Sequence, residues 1–341
     1  MIQLRRALGG PVGAILLAFF LAACAMLVAG VSPLDGFSAL FVGSLGGRQQ
    51  IAETLVQTTA LLFPALGISL AFRAGLFNIG AEGQLLIGAL ACGAVGAHFA
   101  APTPLAIFVL LACGFVGGGI WGGIAGWLRA QFNANEIIST LMLNFVAISL
   151  ATYLVSGPLK SPAAVGAETA PLPAASWLPL LIPDTRLSIG LIIAILAAFV
   201  LRWLFTRTVF GYELRASGEA PDAARRNGVN MPRTTLLALT LSGAIAGLGG
   251  ATIVTGVLHR FNTQLSPGYG YTAIAVALVG DLNPLWVCLA AFGFGILEAG
   301  GLAMQALADV PKDAIHVIEG LIILVLAARR YIATRAEAAP I

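Results

Sequence analysis

The chain has 341 residues, of which 59% are apolar and 10% are charged, whereas soluble domains have about 45–50% apolar and about 25% charged residues. This composition excludes an ordinary water-soluble fold and indicates a protein built into a membrane. The net charge of +3 is too small for a nucleic-acid-binding surface, so no nucleic-acid partner is expected.

Apolar runs long enough to cross a membrane recur along the whole chain. They lie at residues 11–31, 52–72, 76–98, 103–128, 136–156, 188–205, 235–257, 284–304 and 314–328, with a shorter run at 269–281. The pattern predicts an all-α integral membrane protein of about ten transmembrane helices, some of them short or interrupted. We expect these helices to form a single transmembrane domain over residues 1–341.

The distribution of basic residues predicts the orientation of the chain. If the N-terminus is cytoplasmic, five of the 18 Lys and Arg residues fall on the outer side and the other 13 fall on the inner side. The outer residues are Arg48, Lys160, Arg186, Arg260 and Lys312. This excess of inner positive charge satisfies the positive-inside rule, so both termini are predicted to be cytoplasmic.

Two loops are long enough to have roles of their own. The predicted extracytoplasmic loop, residues 157–186, contains six prolines and is expected to be irregular. The predicted cytoplasmic loop, residues 206–233, is basic and contains a helix signature, with Pro221 in the first turn and Gly228 after the last. A short exposed helix of this kind either docks a partner or is a solvated connector.

Glycines at helical spacing mark two of the apolar runs. Gly118, Gly122 and Gly126 repeat every four residues in the fourth run, and Gly243 and Gly247 repeat the spacing in the seventh. Such faces allow helix backbones to approach each other closely in lipid. The spacing predicts a compact helix bundle but does not indicate an activity.

A dense polar cluster lies at the start of the third run, where Asn78, Glu82 and Gln84 stand among glycines. Ionisable groups at membrane depth are costly, so a functional role is their default interpretation. A helix interrupted at this cluster would free backbone groups to line a cavity. The three residues are therefore candidates for a solute pathway.

A second polar cluster opens the fifth run. Glu136, Thr140 and Asn144 are spaced four residues apart and therefore share one helical face. A stripe of this kind suits a hydroxylated solute better than an ion, so these residues are also candidates for the pathway. For both clusters, hydrogen bonding between helices is the alternative interpretation.

The second half of the chain has a comparable segment. The residues Ser266-Pro267-Gly268 precede the short apolar run, which ends before Asp281. A short segment interrupted by Gly or Pro in each half is typical of an internally repeated transporter with its pathway between the repeats.

Several motifs of enzymes and metal sites are missing from the sequence. It has no Gly-x-x-x-x-Gly-Lys-Ser/Thr loop, so this chain is not expected to hydrolyse ATP by that route. It has no His-Glu-x-x-His motif, its three histidines are scattered, and its four cysteines form no Cys-x-x-Cys pair. We expect no catalytic residue, no metal site and no cofactor in this chain.

Four segments carry a resemblance to a known family. They are FNIGAEGQ (77–84), ANEIISTLMLN (134–144), GYELRASGEAPDAARRNGVN (211–230) and YTAIAVALVGDLNP (271–284). Together they resemble the membrane permeases of ABC importers of the branched-chain amino-acid and ribose type. Within that group they are most similar to the permeases of bacterial purine-nucleoside importers, which are often described as simple-sugar systems.

This resemblance implies a permease subunit, in the bacterial cytoplasmic (inner) membrane, that forms the pathway for nucleosides or related simple sugars. It implies a separate ATPase that binds ATP and magnesium, and a second related permease or a copy of this chain. It also implies an extracytoplasmic solute-binding protein or lipoprotein that delivers a small polar solute. The loop at 157–186 is the expected contact for that protein.

The resemblance also identifies the loop at 206–233 as the segment that couples the permease to its ATPase. The candidate coupling residues are Glu213, Arg215, Glu219, Ala223, Ala224, Arg225 and Gly228. Two alternatives stay open. One is the same importer class with a sugar or branched-chain amino-acid substrate, and the other is a proton-coupled secondary transporter that uses Glu82 or Glu136 as its proton site.

Overall fold

The computed structural model describes residues 19–24, 26–27, 30–99, 101–308 and 320. The α-helices are α1 (Pro33–Leu45), α2 (Arg48–Arg73), α3 (Ala81–Gly96), α4 (Thr103–Phe132), α5 (Glu136–Ser156), α6 (Gly190–Arg207), α7 (Val209–Glu219), α8 (Pro221–Arg226), α9 (Met231–Ile253), α10 (Tyr269–Val279) and α11 (Pro284–Ala308). A 3₁₀ turn lies at Ala174–Ser176, and a π-helical turn, Val254–Leu258, extends α9. In the described part of the chain no strand forms, and two isolated β-bridges are present.

Among the described residues, six helices are long and apolar enough to cross a membrane, namely α2, α4, α5, α6, α11 and α9 with its π-helical extension. The all-α membrane fold predicted from the sequence is therefore confirmed for the described residues. The predicted runs at 11–31 and 314–328 lie mostly outside the described residues. The total of about ten transmembrane helices and the cytoplasmic position of the termini stay predictions.

The helices α3 and α10 are apolar but short, with 16 and 11 residues. At about 1.5 Å per residue they span roughly 24 Å and 16 Å, less than the roughly 30 Å of a hydrocarbon core. Neither helix crosses a membrane alone. The chain must continue at membrane depth in non-helical segments, which are tolerated only where protein or a cavity surrounds them.

The chain divides into two compact units, one of residues 55–292 and one of residues 1–54 with 293–341. In the described part of the second unit, the hydroxyl of Thr54 donates to the carbonyl of Ser44 at 2.8 Å. Close packing there depends on small residues, since Gly43 lies against Ala303, and a methyl group added at Gly300 would lie 2.6 Å from the carbonyl oxygen of Leu40.

The core of the 55–292 unit is a three-helix contact of α3, α4 and α9 in which glycines face glycines. A methyl group added at Gly118 would lie 2.6 Å from Cα of Gly247, and one at Gly88 would lie 2.7 Å from the carbonyl carbon of Gly247. The backbones approach this closely because no side chain separates them. The close packing predicted from the glycine spacing is confirmed, and it fixes α3 at the centre of the unit.

The helices of this unit differ in how much of their surface the protein itself covers. Protein covers 83% of the most apolar stretch of α2 and 72% of that of α9, but 33%, 22% and 28% of those of α4, α5 and α6. α4, α5 and α6 therefore present apolar faces to lipid or to another subunit, and α2, α3 and α9 form the interior.

The loop predicted at 157–186 packs onto the π-helical end of α9 and the residues that follow it. The backbone N–H of Leu172 donates to the carbonyl of His259 at 2.8 Å, and that of Leu178 donates to the carbonyl of Thr255 at 3.0 Å. The carboxylate of Glu168 pairs with Arg260 at 3.1 Å. The loop is irregular, as predicted, but hydrogen bonds hold it as a cap over this end of the unit.

The loop predicted at 206–233 contains two helices, α7 and α8. The sequence predicted α8, and the structure confirms that Pro221 begins it and that Gly228 follows it with φ of +86°. The sequence did not predict α7. The hydroxyl of Thr208 caps α7 by accepting the backbone N–H of Gly211 at 3.0 Å.

Candidate solute pathway and coupling site

The backbone is non-helical from residue 74 to residue 80, between α2 and α3. Gly75 in this linker has φ of +75°, a conformation that favours glycine. The buried side chain of Asn78 closes the linker, because its Oδ1 accepts the backbone N–H of Gly80 at 2.9 Å. Its Nδ2 donates to Oε1 of Gln84 at 2.9 Å and to Oγ of Ser242 on α9 at 2.8 Å.

Two side chains of α5 complete this arrangement. The hydroxyl of Thr140 accepts the backbone N–H of Ile79 at 3.2 Å. Asn144 accepts the backbone N–H of Gly83 at 2.9 Å and donates to the carbonyl of Ile79 at 2.9 Å. The linker and the first turn of α3 are therefore held by two side chains of α5 and by Asn78, which in turn bonds Ser242 of α9. We call the residues Asn78, Gln84, Thr140, Asn144 and Ser242, all of them buried, the polar centre.

The first turn of α10 meets the first turn of α3 beside the polar centre. The backbone N–H of Gly270 donates to Oε2 of Glu82 at 2.7 Å. No side chain fits between the two turns, since a methyl group at Gly270 would lie 2.8 Å from the carbonyl carbon of Ala81. The hydroxyl of Tyr271 accepts a hydrogen bond from Nδ2 of Asn144 at 3.2 Å. The two short helices, one from each half of the chain, thus begin at a common point.

The predicted pathway residues divide into two groups. Asn78, Gln84, Thr140 and Asn144 form one hydrogen-bonded network, and the buried Glu82 adjoins it. Glu136 lies apart, because its carboxylate pairs with Nε of Arg129 at 3.3 Å and only its carbonyl contacts Thr140.

Ser242 and Tyr271 were not among the site residues predicted from the sequence. Two sequence features could have indicated them. The hydroxyl of Ser242 lies beside the glycine stripe of α9, and the aromatic Tyr271 follows the Gly/Pro segment at 266–268.

A second feature lies where α2 ends. A methyl group added at Gly218 of α7 would lie 2.9 Å from the backbone nitrogen of Gly75, so α7 contacts the α2–α3 linker backbone to backbone. The guanidinium of Arg73 lies 4.8 Å from the ring centre of Phe205 on α6. Its Nε donates to the carbonyl of Leu282, after α10, at 2.9 Å. The ends of α2, α6 and α10 therefore meet where α7 packs.

A hollow of about 330 Å³ lies between α7 and α8. Its lining residues are Tyr212, Arg215, Ala216, Glu219, Ala220, Ala223, Ala224, Asn227 and Val229. Four of the predicted coupling residues are among them, whereas Glu213, Arg225 and Gly228 are not. Ala223 is exposed and Ala224 is buried, so the two alanines have different roles: the first faces outward and the second packs α8 onto the protein.

In the described part of the chain, no group of three or more His, Cys, Asp or Glu residues is placed to hold a metal ion. The polar centre instead consists of neutral amide and hydroxyl groups, which are hydrogen-bonded to one another and to nearby backbone groups.

Comparison with known proteins gives consistent matches. Residues 50–327 match the model of the family described as branched-chain amino acid transport system / permease component. The glucose ABC transporter permease protein of Haloferax volcanii is 35% identical over 94% of this chain and 87% of its own length. The guanosine ABC transporter permease protein of Bacillus subtilis is 35% identical over 93% of this chain and 92% of its own length.

A nucleoside ABC transporter permease protein of Lactococcus lactis is 33% identical over 94% of this chain and 90% of its own length. The Bacillus and Lactococcus species each have a second matching permease, at 26% identity. No solved structure matches the chain significantly. The chain belongs to the family of permease components of the branched-chain amino acid transport type and is a permease subunit of an ABC transporter.

Proposed function

We propose that this chain forms the solute pathway of an ATP-driven nucleoside importer together with a second permease subunit. The observation that carries the mechanism is the contact of Gly218 with the linker at Gly75. This linker reaches Asn78 three residues later, so the segment proposed to dock the ATPase touches the segment that leads into the polar centre.

In this mechanism the ATPase is a separate chain that binds ATP and magnesium, and it contacts α8 and the hollow beside it. Nucleotide-driven closure of the ATPase displaces α7 and α8 as a body. The displacement passes through the backbone contact at Gly218 to the α2–α3 linker. There it shifts the first turn of α3 against that of α10, and the contact between Glu82 and Gly270 closes or opens the pathway.

The solute assignment rests on relatives and on the chemistry of the polar centre. Two of the three relatives described above have guanosine or nucleoside in their names. The amides of Asn78, Gln84 and Asn144 bond groups of this chain in the present structure, and we propose that they bond the hydroxyls and ring nitrogens of a nucleoside once the pathway opens. A sugar is the second candidate, because the Haloferax relative is a glucose permease. The two candidate solutes are separated by measuring the uptake of labelled guanosine in the presence of excess unlabelled guanosine or excess glucose.

The partners follow from the same relatives and from the exposed faces of the unit. Since two of the bacterial relatives come with a second permease in the same species, we propose a related permease rather than a second copy as the partner. The loop at 157–186 is proposed to face outward and to receive the extracytoplasmic solute-binding protein or lipoprotein.

We further propose that residues 1–341 form one permease domain of about ten transmembrane helices in the bacterial cytoplasmic (inner) membrane, with both termini cytoplasmic. The basic residues support this orientation through the positive-inside rule. A reporter fused after Arg335 should be cytoplasmic, and a tag inserted at Ala167 should be accessible from outside the cell. A cytoplasmic tag at Ala167 contradicts this topology.

The docking proposal is tested by Ala223→Trp. Because Ala223 is exposed at the hollow, the indole would obstruct a closely packed partner without disturbing the interior of the permease. The matched control is Ser149→Trp, at an exposed serine of α5, outside both proposed docking surfaces. We expect the Ala223 variant alone to lose ATPase co-purification and ATP-driven uptake at normal membrane levels. Normal uptake by this variant contradicts the proposal.

A further inference from the structure

Tyr271 combines two properties that the other residues near the polar centre do not share. Its hydroxyl is held at 3.2 Å by the buried amide of Asn144, while its residue surface is 40% exposed. It follows Gly270, the residue that contacts Glu82, on the first turn of α10. The side chain is therefore held at its hydroxyl end while part of the residue is exposed.

The other described tyrosines differ in these respects. Tyr269 donates its hydroxyl to Gln57 at 2.7 Å, but it packs against the hydrophobic core. Tyr153 and Tyr212 are more exposed, at 69% and 60%, and they lie on α5 and α7 away from the polar centre. Tyr271 thus lies where the buried polar network reaches the surface of the unit.

We propose that Tyr271 is a solute-contacting residue whose ring stacks on the base of the transported nucleoside. The inference rests on the proposed nucleoside importer and assigns a determinant of its selectivity. An aromatic ring that is held at its hydroxyl end matches a solute with a flat π-face, because stacking on such a ring accepts any base. A free sugar has no aromatic face to stack.

The test uses the complete importer in cells that lack other nucleoside uptake. Tyr271→Phe keeps the ring, Tyr271→Leu removes it, and Tyr153→Leu is the matched control on exposed α5. We expect Tyr271→Leu to lower labelled guanosine uptake about tenfold, the size of one lost stacking contact, at normal membrane levels. We expect Tyr271→Phe to stay within about threefold of the wild type and the control to be unchanged.

The outcomes separate this inference from the proposed function. If wild-type importer takes up glucose and ignores guanosine, the nucleoside assignment itself is wrong. If it takes up guanosine and Tyr271→Leu retains wild-type uptake, the role of Tyr271 is wrong. If Tyr271→Leu does not accumulate in the membrane, photolabelling of wild-type importer with 8-azidoguanosine decides: label in the peptide that contains Tyr271 supports the inference, and label confined to other peptides overturns it.

Discussion

The polar centre and the α7–α8 segment are built in opposite ways. Asn78, Thr140 and Asn144 are buried, and each is hydrogen-bonded to groups of other segments. The α7–α8 segment is largely exposed and leaves a hollow of about 330 Å³ unfilled. The hydrogen bonds of the first region are made by groups of this chain, whereas the second has a concave surface that the described residues leave open.

This difference indicates which region contributes to the stability of the permease and which contributes to the binding of a partner. A buried hydrogen-bonded amide stabilises the permease itself, because its loss strands the donors and acceptors around it. An exposed residue around a hollow contributes little to the fold and contributes to binding only when a partner is present. Substitutions in the two regions should therefore be separable by stability and by complex formation.

The largest expected effect is that of Asn78→Leu. The change leaves the backbone N–H of Gly80 and the side chains of Gln84 and Ser242 without their partner, at about 1–3 kcal/mol for each buried group. We expect a strong fall in the thermal unfolding midpoint of the detergent-solubilised permease and little intact protein. Ser149→Leu, at an exposed serine of α5, is the control. An unchanged midpoint for Asn78→Leu would refute a stabilising role of the polar centre.

A smaller effect, on binding alone, is expected for Tyr212→Ala. Tyr212 lines the hollow and is 60% exposed, so its truncation should leave the unfolding midpoint within the range of other surface changes. Loss of an aromatic contact at an interface costs about 1–2 kcal/mol, or roughly tenfold in affinity for the ATPase. Pull-down of the ATPase at graded concentrations measures this change. Tyr153→Ala on α5 is the control, and equal affinities would remove Tyr212 from the docking surface.

The smallest effect is expected for Glu136→Gln, which removes the ion pair with Arg129. Arg129 is partly exposed, and pairs near a surface contribute about 0–1 kcal/mol. We expect stability within about 1 kcal/mol of the wild type and a modest loss of uptake. A loss of uptake as large as that of the Tyr271→Leu variant would place Glu136 on the pathway with the polar centre, whereas unchanged uptake would remove it from the pathway.

Most helices could be predicted from the sequence because membrane helices are long apolar runs with polar ends. The run at 136–156 coincides with α5, and those at 103–128 and 284–304 share their first residues with α4 and α11. The run at 76–98 was predicted too long, since α3 begins at Ala81. Hydropathy does not distinguish a helix from an apolar linker, and the break depends on the hydrogen bonds of Asn78 and on the φ of Gly75.

The candidate site was predictable in part, for a different reason. Asn78, Gln84 and Asn144 are conspicuous because amides are rare in apolar runs, and the structure brings them together with Thr140. Their partners Ser242 and Tyr271 are more than 120 residues away from the residues they bond, so no local pattern links them. The hollow was also beyond sequence reasoning, since α7 is short and mixed in polarity and its packing against α8 is tertiary.

The central claim is that movement of the α7–α8 segment reaches the polar centre through Gly218. The most direct test measures guanosine uptake per ATP hydrolysed in proteoliposomes that contain the complete importer with Gly218→Val. The control is Gly293→Val on α11, a helical glycine where the added side chain meets open space. We predict that the Gly218 variant retains its ATPase and hydrolyses ATP but transports at least about tenfold less solute per ATP, whereas the control matches the wild type. If the Gly218 variant transports as much solute per ATP hydrolysed as the wild type, movement of the α7–α8 segment does not reach the polar centre through Gly218.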